Sequence, residues 1–545
     1  MESITIALIL LLAVVISATI ARLLPIPVPP PLIQIALGAT IAAFTENHIT
    51  LQPEVFFLFF LPPLLFLDGW QIPKEGLFRD KWTILELVLG LVLFTVVGVG
   101  FFINWLIPSM PLAVAFALAA IISPTDPIAI SAISARVPVP KRLMHILEGE
   151  SLLNDASGLV CMRFAVVAML TGSFSLPYAI ATFLWLVIGG VFIGVVITFT
   201  VTRINDYASR RLGEETGSQI LISVLIPFAA YILAEHFHCS GILAAVSAGV
   251  TMSYAEQRGH SMAVTRVRRV AVWDTIRFTL NGVIFVLLGE QLPNIVSGAA
   301  EVVRETGHHE PIWLIVYVVA INAALAGLRL AWVWVSLRFT LFRAAKRGLT
   351  VATPDWRLVV TTSVAGVRGA ITLAGILTLP LFMEDGTLFP ARDLAVFLAA
   401  GVIITSLVIA SLSLPFLLQK LELPPESKHQ KEEDTARLEA AEEAIKAVQR
   451  MLHDIGPDSQ DAGIYVDVGT RVMEAYRRRL EGYRLMGDEV EKVETMETVG
   501  RRMMLAAIGA ERDTIFRLAR ARQISDDVSR KLVHEIDLFE ARWRT

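Results

Sequence analysis

Charge is what this sequence has least of. Of its 545 residues only 18% are Asp, Glu, Lys or Arg, whereas 54% are hydrophobic. A soluble domain carries about 25% charged residues, so an ordinary soluble protein is excluded for most of the length. Cysteine is nearly missing: Cys161 and Cys239 both fall in apolar runs, which implies neither a disulfide framework nor a thiolate metal site. No G-x-x-x-x-G-K-[ST] stretch is present, which argues against a nucleotide-driven pump. A G-x-G-D stretch is also missing, which argues against an intramembrane aspartyl protease. The net charge is −4 and no basic block points to nucleic acid. No cofactor motif appears, and the chain does not read as an enzyme.

The charge that exists is unevenly placed. Up to Lys420 it is sparse and lies between apolar runs; from Leu421 a charge comes every two or three residues. The expected organisation is an all-α membrane domain over 1–420 and a cytoplasmic helical domain over 421–545. A spanning helix needs about 20 mostly apolar residues. Thirteen runs qualify, near 4–24, 26–45, 53–71, 82–107, 111–134, 142–170, 177–203, 216–236, 239–256, 272–292, 311–340, 358–383 and 393–419. The first follows Met1-Glu2-Ser3, without a positive leader, and reads as a retained helix.

Basic residues set the orientation. Connections after odd-numbered runs hold Arg22; Lys74, Arg79 and Lys81; Arg136, Lys141 and Arg142; Arg203, Arg210 and Arg211; Arg258, Arg266, Arg268 and Arg269; and Arg338, Arg343, Lys346, Arg347 and Arg357. Connections after even-numbered runs hold only Arg304 and Arg392. Lys and Arg mark the cytoplasmic side, so the N-terminus is expected outside and the tail in the cytoplasm of a cell (plasma or inner) membrane. Thirteen runs divide as six, a linker and six, the pattern of inverted-topology repeats. The fifth and twelfth then correspond, and both are interrupted. The halves share no sequence similarity. In the tail, Leu438, Ala441, Ile445, Val448 and Leu452 form an amphipathic stripe, and further helices are expected near 465–485, 488–518 and 522–543. A helical bundle or a dimer-stabilising appendage fits that pattern.

Two polar stretches lie inside apolar runs. An ionisable group at membrane depth costs roughly 2.5–3.5 kcal/mol on insertion scales, so each is a functional candidate. The first is Ser123-Pro124-Thr125-Asp126-Pro127. Its prolines lack N–H groups and force the fifth run to unwind, freeing carbonyls near Thr125. Pro127 suits the start of a second half-helix with Asp126 as its N-cap and as a charge offsetting its positive end. The second is Glu148 to Asp155, E-G-E-S-L-L-N-D. On a helix Ser151 and Asp155 share one face, and Glu150 and Asn154 another. A carboxylate with a hydroxyl suits a small hard cation, and desolvation lets the same carboxylate hold a proton. Arg368, in A-G-V-R-G-A of the twelfth run, needs a carboxylate partner. Glu150 is the candidate, as a structural ion pair. Arg163, Arg277 and Arg329 also lie within runs; some are expected to pair, with no role in transport. Asp68 ends the third run and reads either as an acidic funnel residue or as an ordinary interfacial one. Glu86 and Glu290 acquire no role.

S-P-T-D-P, E-G-E-S-L-L-N-D-A-S-G and G-V-R-G-A-I-T-L-A, in this order and spacing, resemble the cation–proton antiporter family of bacterial sodium/proton antiporters and animal sodium/proton exchangers. The resemblance implies a homodimer with crossed discontinuous helices. A core near 82–170 and 311–419 would move against a dimerisation scaffold near 1–71 and 177–256. It implies exchange of a monovalent cation, foremost Na+, for H+, serving pH and sodium homeostasis; K+ or Li+ are the alternatives. Asp155 would be the exchanging carboxylate and Asn154 its stabilising neighbour. Ser151, Asp155 and the backbone oxygen of Thr125 would hold Na+, and Asp126 would balance the half-helix ends. Glu150 and Arg368 would form the core ion pair. The Asn154-Asp155 pair implies electroneutral one-for-one exchange. Many bacterial relatives carry a Glu in P-P-L-L-F-E-A-A; here Leu67 stands there, and either Asp68 replaces that gating acid or it is missing. A cation channel is the alternative of a different class.

Overall fold

In hydrocarbon every backbone N–H and C=O must be satisfied within its own segment, so apolar runs fold as helices. The computed structural model describes residues 2–24, 28–44, 53–71, 81–126, 141–171, 176–256, 262–305, 312–346, 356–383, 385–418, 427–455, 462–484 and 488–544. Among these, helix accounts for the regular structure apart from one isolated bridge between Phe382 and Leu388. The chain divides into two units, Met1–Glu422 and Leu423–Thr545.

The first unit holds α1 (Glu2–Leu23), α2 (Pro30–Phe44), α3 (Pro53–Gln71), α4 (Lys81–Leu106) and α5 (Leu112–Ile122). Next come α6 (Lys141–Thr171), α7 (Leu176–Leu212), α8 (Thr216–His236), α9 (Gly241–Glu256) and α10 (Ala263–Glu305). It ends with α11 (Ile312–Lys346), α12 (Trp356–Val364), α13 (Ala370–Leu377) and α14 (Arg392–Leu418). Described stretches within α1, α7, α8, α10, α11 and α14 combine the length and apolarity of a full span. Of the other expected runs, α4 is an uninterrupted apolar helix of 26 residues, and the rest are shorter, interrupted or polar. α5 stops ahead of Pro124, and α6 carries Glu148, Glu150 and Asp155. The apolar run at 272–292 lies inside a helix of 43 residues. Pro293 follows that run directly without ending the helix, so the helix outlasts its apolar part.

Helix packing has two parts. In one, α1 lies on α2 and α10, with α2 against α10; in the same pattern α8 lies on α9 and α3, with α3 against α9. Both closest pairs rest on reciprocal glycines. A Cβ on Gly38 would sit 2.0 Å from the Val286 carbonyl oxygen, and one on Gly289 2.0 Å from that of Ile35. A Cβ on Gly69 would sit 2.4 Å from the Val246 carbonyl oxygen, and one on Gly249 2.0 Å from that of Phe66. Small residues allow this backbone approach where lipid supplies no hydrophobic drive. The stacked rings of Phe66 and Trp273, 5.2 Å apart, fill the space beside the second pair. In the other part, α5 packs on α4 and α6, α4 on α11, and α14 on α11, α12 and α13.

The second unit contains α15 (Ser427–Ile455), α16 (Ala462–Arg484), α17 (Asp488–Arg520) and α18 (Asp526–Arg544). α15 packs on α16 and α17 on α18. The α15 stripe supplies the inward face, with Ala441 buried and Leu452 against Gly469. Arg512 of α17 bridges Asp537, at 2.9 Å, and Glu540 of α18.

Candidate functional site

Two broken helices meet. α5 ends at Ile122 because proline follows, and the chain continues as irregular backbone through buried Thr125 to Asp126. The Asp126 N–H donates to the Val367 carbonyl at 2.7 Å. Val367 lies in the irregular stretch 365–369 between α12 and α13. Gly369 begins α13 with an extended backbone, and a Cβ there would lie 1.6 Å from Asp126 Oδ2. Glycine is therefore what lets the Asp126 carboxylate reach the amino end of α13. A negative charge there opposes the positive end of the helix dipole. Pro31 of α2, Phe285 of α10 and Leu407 of α14 close in around Asp126 and leave no room for a water molecule.

The carbonyl ends of the other half-helices receive the opposite charge. Buried Arg368 donates Nε to the Ile122 carbonyl at 2.9 Å, at the end of α5, and Nη1 to the Gly366 carbonyl. Its backbone N–H donates to Ser406 Oγ of α14 at 3.2 Å. Arg329 of α11 donates Nε to the Thr362 carbonyl at 3.1 Å, near the end of α12. Its two terminal nitrogens grip both oxygens of Glu150 at 2.5 and 2.9 Å. This corrects the expected Glu150–Arg368 pair. Arg368 sits where the helix breaks have freed carbonyls, and these satisfy its guanidinium. Arg329 lies on an unbroken helix and offers Glu150 a two-pronged fork.

α6 presents the remaining groups. Ser151 and Asn154 are buried, and Gly158 continues the same face one turn further. A Cβ on Gly158 would lie 2.5 Å from Pro124 Cγ and 2.6 Å from the Ala120 carbonyl oxygen, so this face abuts the broken end of α5. Asn154 Nδ2 donates to Glu150 Oε1 at 3.2 Å. Asn154 Oδ1 and Ser123 Oγ are buried and have no hydrogen-bond partner among the described residues. Buried polar atoms are nearly always satisfied, so these two oxygens suit a cation or its water. Asp155 lies on α6 next to Asn154; its side chain, like all of Pro127, falls outside the described residues.

A model of the transmembrane region of sodium/hydrogen exchangers matches residues 7–420. The chain belongs to the sodium/hydrogen exchanger family. It is 41% identical over 540 residues to a protein of Escherichia coli described as an uncharacterized Na(+)/H(+) exchanger, covering 98% of this chain and 97% of the relative. It is 43% identical over 422 residues to a sodium, potassium, lithium and rubidium/H(+) antiporter of Bacillus pumilus, covering 76% of this chain and 61% of that one. The structure of the sodium proton antiporter MjNhaP1 from Methanocaldococcus jannaschii superimposes with a TM-score of 0.56 at 18% identity. That match covers 77% of this chain and 99% of that structure, and it shows a shared fold.

In this exchanger-family chain every arginine flagged within a run meets an acceptor. Arg163 pairs with Glu235 of α8 at 2.7 Å, and Arg277 with Asp68 of α3 at 2.9 Å. Asp68 thus bonds to α10 at the end of α3, and Arg277 also donates to Gln71 at 2.9 Å. Glu290 is buried in α10, whereas the Glu86 side chain lies outside the described residues. Sequence reasoning missed Arg329 as the partner of Glu150. The signal was available, because an arginine inside an apolar run requires an acceptor. Two arginines competed for one carboxylate, and spacing along the chain does not rank them.

Proposed function

We propose that this chain exchanges Na+ for H+ across the cell (inner) membrane, at a single site beside the helix crossing. The observation that carries this reading is the meeting of two interrupted helices, joined through Asp126 and Val367, against the Ser151–Asn154 face of α6. Asp155 is the carboxylate that takes either cation or proton. Ser151 Oγ and the Thr125 carbonyl complete the cation's oxygen set, and Asn154 orients it. Asp126 offsets the amino end of α13. Glu150 works with Arg329 and ties α6 to α11. One titrating aspartate beside an asparagine makes the exchange electroneutral, one for one. Asp68 acts as an acidic gate whose opening requires it to part from Arg277.

The basic connections place the N-terminus outside and the tail in the cytoplasm. The matching patterns of α1, α2 and α10 and of α8, α9 and α3 support thirteen spans arranged as inverted repeats around α7. The exposed apolar flank of α7, including Trp185, Ile188 and Phe192, faces lipid or a second copy in a homodimer.

Proteoliposomes with an imposed pH gradient test the function. Addition of Na+ is expected to collapse the gradient whether or not the voltage is clamped with an ionophore. K+ and Li+ belong in the same experiment, because the name of the Bacillus relative covers both. A gradient indifferent to every monovalent cation would sink the proposal, and currents without a proton gradient would favour a channel.

A further inference from the structure

Arg392 is one of two basic residues in the connections where the charge pattern has almost none. The structure gives a reason for it. Arg392 is the first residue of α14, and its side chain is only 17% exposed. Its Nε donates to the Leu379 carbonyl at 3.1 Å and its Nη2 reaches the Leu377 carbonyl at 3.5 Å. Leu377 is the last residue of α13. The last carbonyls of a helix have no partner within it, and Pro380 cannot donate one from its own nitrogen. A cation is the favoured partner at that end.

The chain is folded back to make this contact. After α13 it turns through a small hairpin, with Met383 N–H on the Thr387 carbonyl at 2.8 Å and Phe389 N–H on the Leu381 carbonyl at 3.0 Å. Gly386 at its tip takes a positive φ of 82°. The hairpin returns Arg392 to the end of the half-helix it has just left.

α14 also holds the other end. Ser406 Oγ accepts the backbone N–H of Arg368 at 3.2 Å, immediately before Gly369 and Asp126. Arg392 and Ser406 stand about 21 Å apart along α14, at 1.5 Å per residue. One continuous helix therefore grips the broken one at both ends, close to the contact between Gly369 and the Asp126 carboxylate.

We infer that Arg392 is a positioning residue for exchange: with Ser406 it splints α13 to α14 and so fixes the amino end of α13 against Asp126. It acts through α13 and does not touch the cation. This rests on the antiport reading above. When the Arg392 grip is lost, α13 is free to slide along its axis, and the electrostatics at Asp126 change while the membrane domain stays inserted.

The test uses the full-length protein in proteoliposomes, with wild type, Arg392→Gln, Arg392→Lys and Ser406→Ala side by side. Apparent KM for Na+, maximal rate, the pH profile and the melting temperature in detergent are measured for each. Arg392→Gln is expected to raise KM about tenfold, the scale of one lost charge-assisted hydrogen bond, and to shift the pH profile while the maximal rate stays within about twofold. Arg392→Lys is expected to recover most of the KM, and Ser406→Ala to move KM in the same direction by less. Should Arg392→Gln fail to insert, a KM raised by Ser406→Ala with near-normal values in Arg392→Lys supports the splint. Wild-type KM and pH profile in Arg392→Gln, or in Ser406→Ala where the first does not insert, overturn it, whatever happens to melting. Failure of wild type to exchange would instead strike at the antiport reading.

Discussion

Helices approach closely in two regions of the membrane domain, and the two are built in opposite ways. Where α2 meets α10 and α3 meets α9, side chains are removed: glycines let unbroken backbones touch and backbone hydrogen bonding stays within each helix, with the Trp70 indole N–H donating to Glu256 from α3 to α9. Where α5 meets α12 and α13, the backbones are broken and charges are added: Arg368 and Arg329 meet carbonyl ends, and Asp126 meets an amino end. In the first design the close contacts are backbone on backbone, with no charged side chain at the glycines themselves. The second holds open polar ends that must be compensated, and that compensation can respond to a cation or a proton. On the proposed reading, scaffold and exchange fall to different helices of one chain.

The largest effect is expected at the buried Glu150–Arg329 pair. Removing one partner strands a charge and costs about 3–5 kcal/mol, so Glu150→Gln and Arg329→Gln should each melt far earlier in detergent than wild type. The double variant should recover part of that loss, and additive losses would show that the two do not act as a pair. Enlarging a scaffold glycine comes next. Gly249→Leu drives a side chain into the Phe66 carbonyl and should cost about 1–3 kcal/mol of stability, while the apparent KM of the surviving protein stays at the wild-type value. A raised KM there would blur the division of labour. Gly369→Ala sharpens it from the other side. Asp126 has to move to admit the methyl group, so exchange should fall far more than in Gly249→Leu, at a comparable overpacking cost of about 1–3 kcal/mol. The smallest effect belongs to Arg163–Glu235, about a third exposed on each side. Glu235→Gln should shift melting by roughly 0.2–1 kcal/mol or less.

The same contrast explains what the sequence made legible. Long apolar runs announced the helices, and Pro124 announced the end of α5, because both effects act within a few residues. The break around Gly366 and Gly369 was visible in the same way. Partner choice was not. Helical spacing placed Glu150 on α6 and flagged Arg329 and Arg368, but which arginine it meets depends on carbonyls that only the crossing frees. The glycine contacts of α2 with α10 were hidden for a different reason: single glycines are common in spanning helices, and their pairing is a property of the packed structure. Arg392 stood out as an exception to the charge pattern, and only the returning hairpin shows what it caps.

The claim that exchange belongs to α6 beside the crossing is tested most directly by Asp155→Asn. Na+-driven collapse of an imposed pH gradient should be abolished in proteoliposomes, with insertion and melting temperature like those of wild type. Undiminished exchange by that variant would contradict the account.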